Sequence, residues 1–220
     1  MTPDGTAFLY PFIEADERDP GGLLDDLARS AAAKAADSGR LRTTTLAALE
    51  ADIERAGEAM ARRFERGGRL FTAGNGGSAT DADALAALFS DPPHGRALPA
   101  RSLVADAAVL SALGNDVGFD LVFSRQVIAL AGADDMIACF STSGSSVNVL
   151  LAVEEARRRG LLTLGLAGYD GGAMAASPCL DHLFVVPSSS VHRVQETHAA
   201  VALALWSALQ RLLGATAARP

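Results

Sequence analysis

Between Arg69 and Val186 the chain alternates short apolar runs with longer segments of helical character. The apolar runs are continuous, which is typical of strands that are buried on both faces. The segments between them are each long enough to hold a helix. This pattern predicts an α/β fold, a three-layer sandwich with a parallel sheet of about five strands covered by helices on both sides. The predicted strands are Leu70–Ala73, Ser102–Ala105, Met136–Phe140, Leu161–Leu166 and Leu183–Val186.

Two helices are predicted ahead of this sheet. The first covers Leu23–Ala36 and is ended by Ser38-Gly39. The second carries apolar residues at steps of three and four between Leu46 and Phe64, and Gly67-Gly68 ends it. Its apolar stripe must be covered by another surface. We therefore predict four regions: an amino-terminal arm (1–20), helices that pack on the main domain or on a neighbouring subunit (21–68), the α/β domain (69–214) and a tail (215–220).

Composition argues against several classes of protein. Nineteen Lys plus Arg against 26 Asp plus Glu give a net charge of -7, which disfavours direct nucleic-acid binding or an anionic membrane as partner. The longest apolar run, Ala199–Trp206, is far shorter than the roughly 20 residues of a membrane-spanning helix. Residues 1–13 contain no basic residue, which is atypical of a secretory signal and predicts a cytoplasmic protein. Cys139 and Cys179 are too few for a disulfide framework and are predicted to be reduced, buried thiols.

Two loops of unusual composition follow predicted strands, at the sheet edge where α/β proteins bind ligands. One is Gly74–Ser78, before a helix in which Ser78 and Asp81 have capping-box spacing. The other is Ser141–Ser146, five hydroxyls in six residues at the start of a helix. Hydroxyls and free N–H groups at a helix amino terminus favour an anion. Because the single lysine, Lys34, is remote and no G-K-[ST] follows either loop, a small phosphoester is favoured over a nucleoside triphosphate.

Other interpretations of these loops remain open. Gly74–Ser78 is also compatible with a tight turn that binds nothing, and Ser141–Ser146 with a solvated, capped loop. Gly74, Gly76 and Ala79 formally satisfy a dinucleotide fingerprint, which requires an acidic residue about 20 positions on at the end of the next strand. Asp91 lies near that distance but in an Asp-Pro-Pro turn. We therefore rank a dinucleotide site below a sugar phosphate site.

Further motifs make the resemblance to a known family specific. These are Gly114-Asn115-Asp116, Tyr169-Asp170-Gly171-Gly172 and Arg193-Val194-Gln195-Glu196-Thr197-His198. With the two loops, they resemble the sugar isomerase (SIS) domain family, specifically its phosphoheptose isomerase subgroup, from about Leu46 to Leu213. The resemblance implies a flavodoxin-like sandwich, usually assembled as a homotetramer with sites at subunit boundaries. Enzymes of the subgroup convert sedoheptulose 7-phosphate to an aldose phosphate.

The resemblance also implies which residues bind the phosphosugar, and where the family's catalytic set is missing. The family's metal-binding and catalytic His and Glu fall on Ala84 and Leu88, and a second functional His falls on Leu203. Of the expected zinc ligands only Gln195 remains, and a lone Gln does not hold zinc, so we expect no metal or cofactor. The implied phosphosugar-binding residues are Asn75, Gly76, Gly77, Ser78, Asp116, Ser141, Thr142, Ser143, Ser146 and Gln195.

We therefore predict a phosphosugar-binding or regulatory member of the family, assembled as a homo-oligomer, either tetramer or dimer. The first alternative is an active isomerase that uses a different base, with His198, His192 and Asp116 as candidates. For His198, a packed helix position without chemistry is the competing interpretation. The second alternative is a protein-interaction module, similar to relatives that bind the replication initiator. In either case the aromatic arm, with Phe8, Tyr10 and Phe12, is a candidate for recruiting a protein partner.

Overall fold

The computed structural model of the chain describes residues 20–217. The predicted arm and tail lie outside the described residues, apart from Pro20 and residues 215–217, which belong to helices. The helices are α1 (Pro20–Glu65), α2 (Gly77–Ser90), α3 (Ala107–Asp116), α4 (Val122–Leu130), α5 (Val147–Arg158), α6 (Gly172–Ala175) and α7 (Val191–Ala217), with a 3-10 turn at Phe119–Leu121. The strands are β1 (Leu70–Gly74), β2 (Ala100–Ser102), β3 (Met136–Ser141), β4 (Leu162–Gly168) and β5 (His182–Val186).

The five strands form one sheet in the order β2-β1-β3-β4-β5, and every neighbouring pair is parallel. This confirms the predicted flavodoxin-like α/β architecture. The chain leaves β1 for β2 on one side and then crosses to β3 on the other side. The strand order therefore reverses between β1 and β3, and this reversal creates a crevice at the carboxyl ends of these two strands.

Apolar side chains form a separate core on each face of the sheet. One core joins the sheet to α2, α7 and the second half of α1, with Met60, Phe89 and Trp206 among its buried members. The other core joins the opposite face to α4 and α5, with Phe123 and Val153 among its members. The continuous apolar character of the central strands follows from this arrangement, since β1, β3 and β4 are buried along their whole length.

The predicted break at Ser38-Gly39 is wrong, because α1 continues through it from Pro20 to Glu65. A glycine inside a helix costs only about 1 kcal/mol relative to alanine. That is too little to end a helix in an alanine-rich segment. By its internal contacts the chain divides within α1, into residues 1–39 and residues 40–220. In the first unit the side chains of Leu24 and Leu27 are exposed.

The second strand also differs from its prediction. It was expected at Ser102–Ala105 and is observed at Ala100–Ser102. Pairing with β1 ends soon after Ser102, with one further bond from the Leu103 N–H to the Thr72 carbonyl. The chain then turns into α3, whose amino terminus is capped by the Asp106 side chain through the Val109 N–H. Residues 103–105, which were part of the predicted strand, therefore lead into α3 and do not extend β2.

Two further expectations concern membranes and thiols. No helix within residues 20–217 combines the length and the apolar character needed to cross a bilayer. Both cysteines are free; Cys139 is buried, and burial raises the pKa of its thiol to about 12, whereas Cys179 is only partly buried. The prediction of two buried thiols therefore holds for Cys139 alone.

Candidate functional site

The two polar loops lie side by side because they follow β1 and β3, the strands at which the sheet order reverses. β1 and β3 pair in parallel along their length, with Gly74 opposite Phe140. Ser141, the first residue of the hydroxyl-rich loop, is the last residue of β3. The carboxyl ends of neighbouring parallel strands lie at one edge of the sheet, where α/β proteins bind ligands. The loops Gly74–Ser78 and Ser141–Ser146 therefore share one crevice.

The hydroxyl groups of the second loop converge. Ser141 Oγ lies 2.9 Å from Ser146 Oγ and 3.5 Å from Ser143 Oγ. Ser141 is buried, Thr142 and Ser146 are half-buried, and Ser143 is exposed. The group of hydroxyls thus runs from the buried end of the strand to the exposed Ser143.

The loop is held in place by α6 and by Gly171, the residue that precedes it. The Ala173 N–H donates to Ser145 Oγ at 3.1 Å, and the Met174 N–H donates to the Gly144 carbonyl at 2.9 Å. Gly144 has a φ of +63°, and a Cβ there would lie 2.0 Å from the Gly171 carbonyl oxygen. The position therefore requires glycine for both its backbone angle and its close approach. Ser145 fixes the loop through its Oγ, and its N–H donates to Ser143 Oγ at 3.2 Å.

Backbone donors complete this side of the crevice. The Ser146 carbonyl accepts from the N–H groups of Val149 and Leu150, which starts α5. The N–H groups of Ser146, Val147 and Asn148 have no protein acceptor in the described part of the chain, and the Ser146 side chain does not cap the helix. Uncapped N–H groups and the dipole of a twelve-residue helix favour an anion at this point.

The first loop is joined to the second by a pair of carboxamides. Asn75 Nδ2 donates to Asn148 Oδ1 at 2.8 Å, and Asn148 Nδ2 donates back to Asn75 Oδ1 at 3.0 Å. Asn148 is buried, with 3% of its surface exposed, and Asn75 is half-buried. Asn75 therefore uses its side chain to connect β1 to the start of α5.

The capping box predicted for Ser78 and Asp81 is wrong. α2 begins at Gly77, and the residue before it, Gly76, has a φ of +54° and offers no side-chain cap. Ser78 lies inside the first turn and is buried, and its N–H donates to the Asn75 carbonyl. Gly76 and Gly77 are exposed. This end of the loop therefore presents backbone rather than side chains to the crevice.

Gln195 lies directly over the beginning of α2. A Cβ on Gly77 would lie 2.0 Å from Gln195 Nε2, so only glycine leaves room for this amide. The half-buried carboxyl of Asp81, one turn along α2, also lies near the Gln195 side chain, and its Oδ2 atom has no hydrogen-bond partner in the described part of the chain. Burial raises the pKa of Asp81 to about 6, although the nearby Gln195 amide acts in the opposite direction. Gln195 is thus placed beside the first loop.

The three candidate catalytic residues lie in different environments. His198 is fully buried, its Nε2 is 3.1 Å from the Ala167 carbonyl oxygen, and its ring packs edge-on against Phe140. Burial lowers the pKa of His198 to about 4. This environment fits the packed-helix interpretation better than that of a proton carrier. His192, near the start of α7, and Asp116, at the end of α3, are both exposed.

The positions at which the family would hold zinc lack donor atoms. Ala84 and Leu88 lie one turn apart on α2, and Leu203 on α7 is half exposed. Among residues 20–217 no group of three or more His, Cys, Asp and Glu side chains is arranged to hold a metal ion. One carboxamide, Gln195, does not make a zinc site. The residues present therefore do not fit zinc.

Sequence reasoning missed two residues of this site. Asn148 was not singled out, although a polar side chain at the second position of an otherwise apolar helical turn is a usable signal. The spacing of Asp81 predicts a capping residue, and nothing in the local sequence indicates that Gln195, 114 positions away, lies near it.

Comparison with known proteins gives the same fold and the same family. The chain is 45% identical over 155 residues to the phosphoheptose isomerase of Solidesulfovibrio magneticus, covering 68% of this chain and 72% of that one. It is 44% identical over 152 residues to the enzyme of Campylobacter jejuni, covering 68% and 81%. Among solved structures, phosphoheptose isomerase from Neisseria gonorrhoeae superposes with a TM-score of 0.78 at 37% identity, over 84% of this chain and 99% of that one.

The family model described as SIS domain matches residues 35–168, which include both polar loops. Together with the relatives above, this match confirms the resemblance found in the sequence. The chain belongs to the SIS domain family, and within it the chain is similar to phosphoheptose isomerases.

Proposed function

We propose that this chain binds a phosphorylated sugar in the crevice between β1 and β3, and that it serves as a binding or regulatory protein instead of an isomerase. One observation supports the binding: the hydroxyls of Ser141, Ser143 and Ser146 converge where the N–H groups at the start of α5 have no acceptor within residues 20–217. Neutral donors and a helix dipole suit a phosphate ester. The sugar would extend toward Asn75 and Gln195.

The loss of isomerisation is inferred from chemistry that the site lacks. Moving a proton between two sugar carbons requires a base and a group that polarises the carbonyl. Ala84, Leu88 and Leu203 supply neither, and buried His198 presents no surface to a ligand. A protein with the phosphate loop but without this chemistry would report the presence of the sugar, not convert it.

Calorimetric titration of the full chain with sedoheptulose 7-phosphate tests the binding. We expect saturable binding that Ser143→Ala weakens roughly tenfold or more, the effect of a lost hydrogen bond to a charged group. Ser90→Ala is the matched control, since Ser90 carries a hydroxyl at the far end of α2 and bonds only to its own helix. Absence of binding by the wild-type chain to any sugar phosphate would refute the proposal and favour a protein-interaction module.

A coupled enzyme assay with sedoheptulose 7-phosphate, with and without added Zn²⁺, tests whether the chain lacks isomerase activity. We expect no turnover above that of Ser143→Ala in either condition. Turnover above this background would establish the alternative, an isomerase with a different base. The exposed Asp116 and His192 are then the residues to replace first, because a sugar could reach both from solvent.

We extend the proposal to assembly as a homo-oligomer, either tetramer or dimer. Leu203 on α7 is 51% exposed and lies in a groove with Leu46 of α1 and Ala200 of α7. Burial of such side chains between subunits is favourable. Light scattering should give a mass of two or four chains, and Leu203→Glu should lower it.

Recovery of a protein partner by the full chain, compared with one lacking residues 1–20, tests the role of the arm.

A further inference from the structure

A cavity of about 380 Å³ opens between α3, α4 and the edge strand β2. Leu130, one of its lining residues, lies before the amino end of β3, and its carbonyl accepts from Arg69, which precedes β1. The polar loops follow the carboxyl ends of the same two parallel strands. Leu130 therefore lies at the other end of these strands, and the cavity is separate from the crevice. Its size suits a small organic molecule.

The walls of this cavity are mostly apolar. α3 contributes Val109 and Leu113, and α4 contributes Leu130, and all three residues are only half-buried. α3 consists largely of apolar residues, yet none of its residues is fully buried. The apolar side chains that α3 turns toward the cavity are thus incompletely covered by the protein. An apolar group placed in the cavity would remove their surface from water, which is favourable.

The charged residues that line the cavity are two arginines, Arg101 on β2 and Arg125 on α4. Both are exposed, and within residues 20–217 neither has an ion-pair partner. Arg125 also borders a neighbouring groove with Glu154 and Glu155 but forms no ion pair with either. In a chain of net charge -7, two positive side chains on a wall without acidic residues favour an anion.

A buried amide places a hydrogen-bond acceptor at the same cavity. Gln126 is only 5% exposed, and its Nε2 donates to the carbonyls of Leu103 at 2.9 Å and Val122 at 3.1 Å. These bonds use both N–H groups and so fix which way round the amide lies. Its Oε1 accepts no hydrogen bond within residues 20–217 and is not fully enclosed by the protein. Oε1 is therefore the atom of this side chain that a ligand could bond.

We propose that this cavity is a second ligand site, which takes a small carboxylic acid with an apolar body and an N–H or O–H donor. Arg101 and Arg125 hold the carboxylate, whose two oxygens match the fork of a guanidinium group. The apolar body lies on Val109 and Leu113, and the donor bonds to Gln126 Oε1. A carboxylate is favoured over a phosphate ester because no hydroxyl or ammonium side chain lines the cavity, in contrast to the crevice.

Ligand-observed nuclear magnetic resonance of the full chain tests each contact with four probes. Indole-3-acetate has a carboxylate, a flat apolar body and an N–H group, and it should bind with a dissociation constant of about 1 mM or below. Tryptamine, which carries an ammonium on the same body, and acetate, which has no apolar body, should not bind. Benzothiophene-3-acetate lacks the N–H group and should bind about three- to tenfold more weakly, the effect of one neutral hydrogen bond.

Three results with these probes would overturn the inference. Indole-3-acetate that does not bind saturably refutes the site itself. Binding of tryptamine or acetate as strong as that of indole-3-acetate refutes recognition of a carboxylate with an apolar body. Equal affinity for indole-3-acetate and benzothiophene-3-acetate refutes the role of Gln126 Oε1.

Substitutions locate the bound probe. Arg101→Gln and Arg125→Gln should each weaken indole-3-acetate about tenfold or more, the effect of a lost hydrogen bond between charged groups. Arg96→Gln is the matched control, because Arg96 is exposed and does not line the cavity. Ala112→Phe should abolish binding by filling the cavity, whereas Ala107→Phe, at an exposed position of α3 outside its lining, should not. Wild-type affinity in Ala112→Phe would show that the probe binds elsewhere.

Competition separates this site from the proposed function. Excess sedoheptulose 7-phosphate should leave the binding of indole-3-acetate unchanged. Displacement by the sugar phosphate would place the carboxylate in the crevice and overturn the second site. Binding of indole-3-acetate by a chain that binds no sugar phosphate would refute the proposed function and support the second site.

Discussion

Asn75 and Asn148 exchange two hydrogen bonds, of 2.8 and 3.0 Å, between residues that are 73 positions apart in the sequence. One follows β1 and the other lies in the first turn of α5. Each carboxamide uses a donor and its oxygen on the other, so the pair fixes the distance between the two polar loops. A phosphosugar that contacts both loops depends on this distance.

We predict that Asn148→Ala lowers the free energy of unfolding by about 1–3 kcal/mol, because it leaves the half-buried Asn75 amide without its partner. Urea unfolding measures this change. Asn115→Ala is the control, since the Asn115 side chain is exposed and makes one bond, to Asp116. It should change stability by no more than about 0.5 kcal/mol. Equal effects of the two substitutions would contradict the structural role of the pair.

Gly144→Ala should lower the free energy of unfolding by more than the positive φ of this residue alone explains. A left-handed backbone angle costs a non-glycine residue about 1–2 kcal/mol. At Gly144 the added Cβ would also lie 2.0 Å from the Gly171 carbonyl oxygen. Gly67→Ala isolates the first effect, because Gly67 has a φ of +82° and open space where a Cβ would be. Urea unfolding of both variants should show the larger loss at Gly144, and similar losses would mean that the close approach is relieved without cost.

Acid should destabilise the protein through His198. Burial lowers the pKa of this imidazole to about 4, from an ordinary value of 6.5. Between these values the unfolded chain binds a proton that the folded chain does not, so stability falls as pH falls from 6.5 to 4. This pKa shift corresponds to a loss of roughly 3 kcal/mol in the free energy of unfolding once the pH has fallen below the folded-state pKa. Unfolding of His198→Gln, measured across this range, should depend less on pH than the wild type, and an equally steep profile would count against the neutral, buried imidazole.

Asp81 should act in the opposite direction over an overlapping range. Its folded-state pKa is raised to about 6 from 3.8, so the unfolded chain loses a proton first and stability falls as pH rises between these values. Asp81→Asn should therefore be more stable relative to the wild type at pH 7.5 than at pH 4. If the two proteins differ in free energy of unfolding by the same amount at both pH values, the pKa of the Asp81 carboxyl is not raised in the folded state. Comparing His198→Gln in the Asp81→Asn background separates the two contributions.

Metal should neither stabilise nor be required by the wild-type chain. Ala84, Leu88 and Leu203 carry no donor atoms, so zinc lacks the set of ligands that the family resemblance implies. We expect the same unfolding temperature with added Zn²⁺ and with a chelator. The triple variant Ala84→His, Leu88→Glu and Leu203→His serves as the positive control and should gain a chelator-sensitive stabilisation. A chelator-sensitive unfolding temperature in the wild type would contradict the conclusion that the residues at these positions do not fit zinc.

Several features of the fold and the site could be predicted from the sequence because their cause is local. The runs at β1, β3 and β4 are apolar without alternation, which follows directly from burial of both strand faces. Ser141–Ser146 and Gly74–Ser78 follow two of these strands, so their location at one sheet edge is a consequence of parallel pairing. The absence of donor atoms at Ala84, Leu88 and Leu203 is likewise a property of residue type.

Tertiary packing alone decided the features that depend on competition between distant partners. The local spacing of Ser78 and Asp81 favours a capping box, yet α2 begins at Gly77 without a side-chain cap, and α7 packs against α2 and brings the Gln195 amide to Gly77. His198 lies three residues after Gln195 on the same helix but is enclosed by Phe140 and the β4 backbone. The sequence by itself determined the residue types and the order in which strands and loops follow one another along the chain. Packing determined which side chains meet, since a hydrogen bond or a buried contact depends on distances that local preference does not encode.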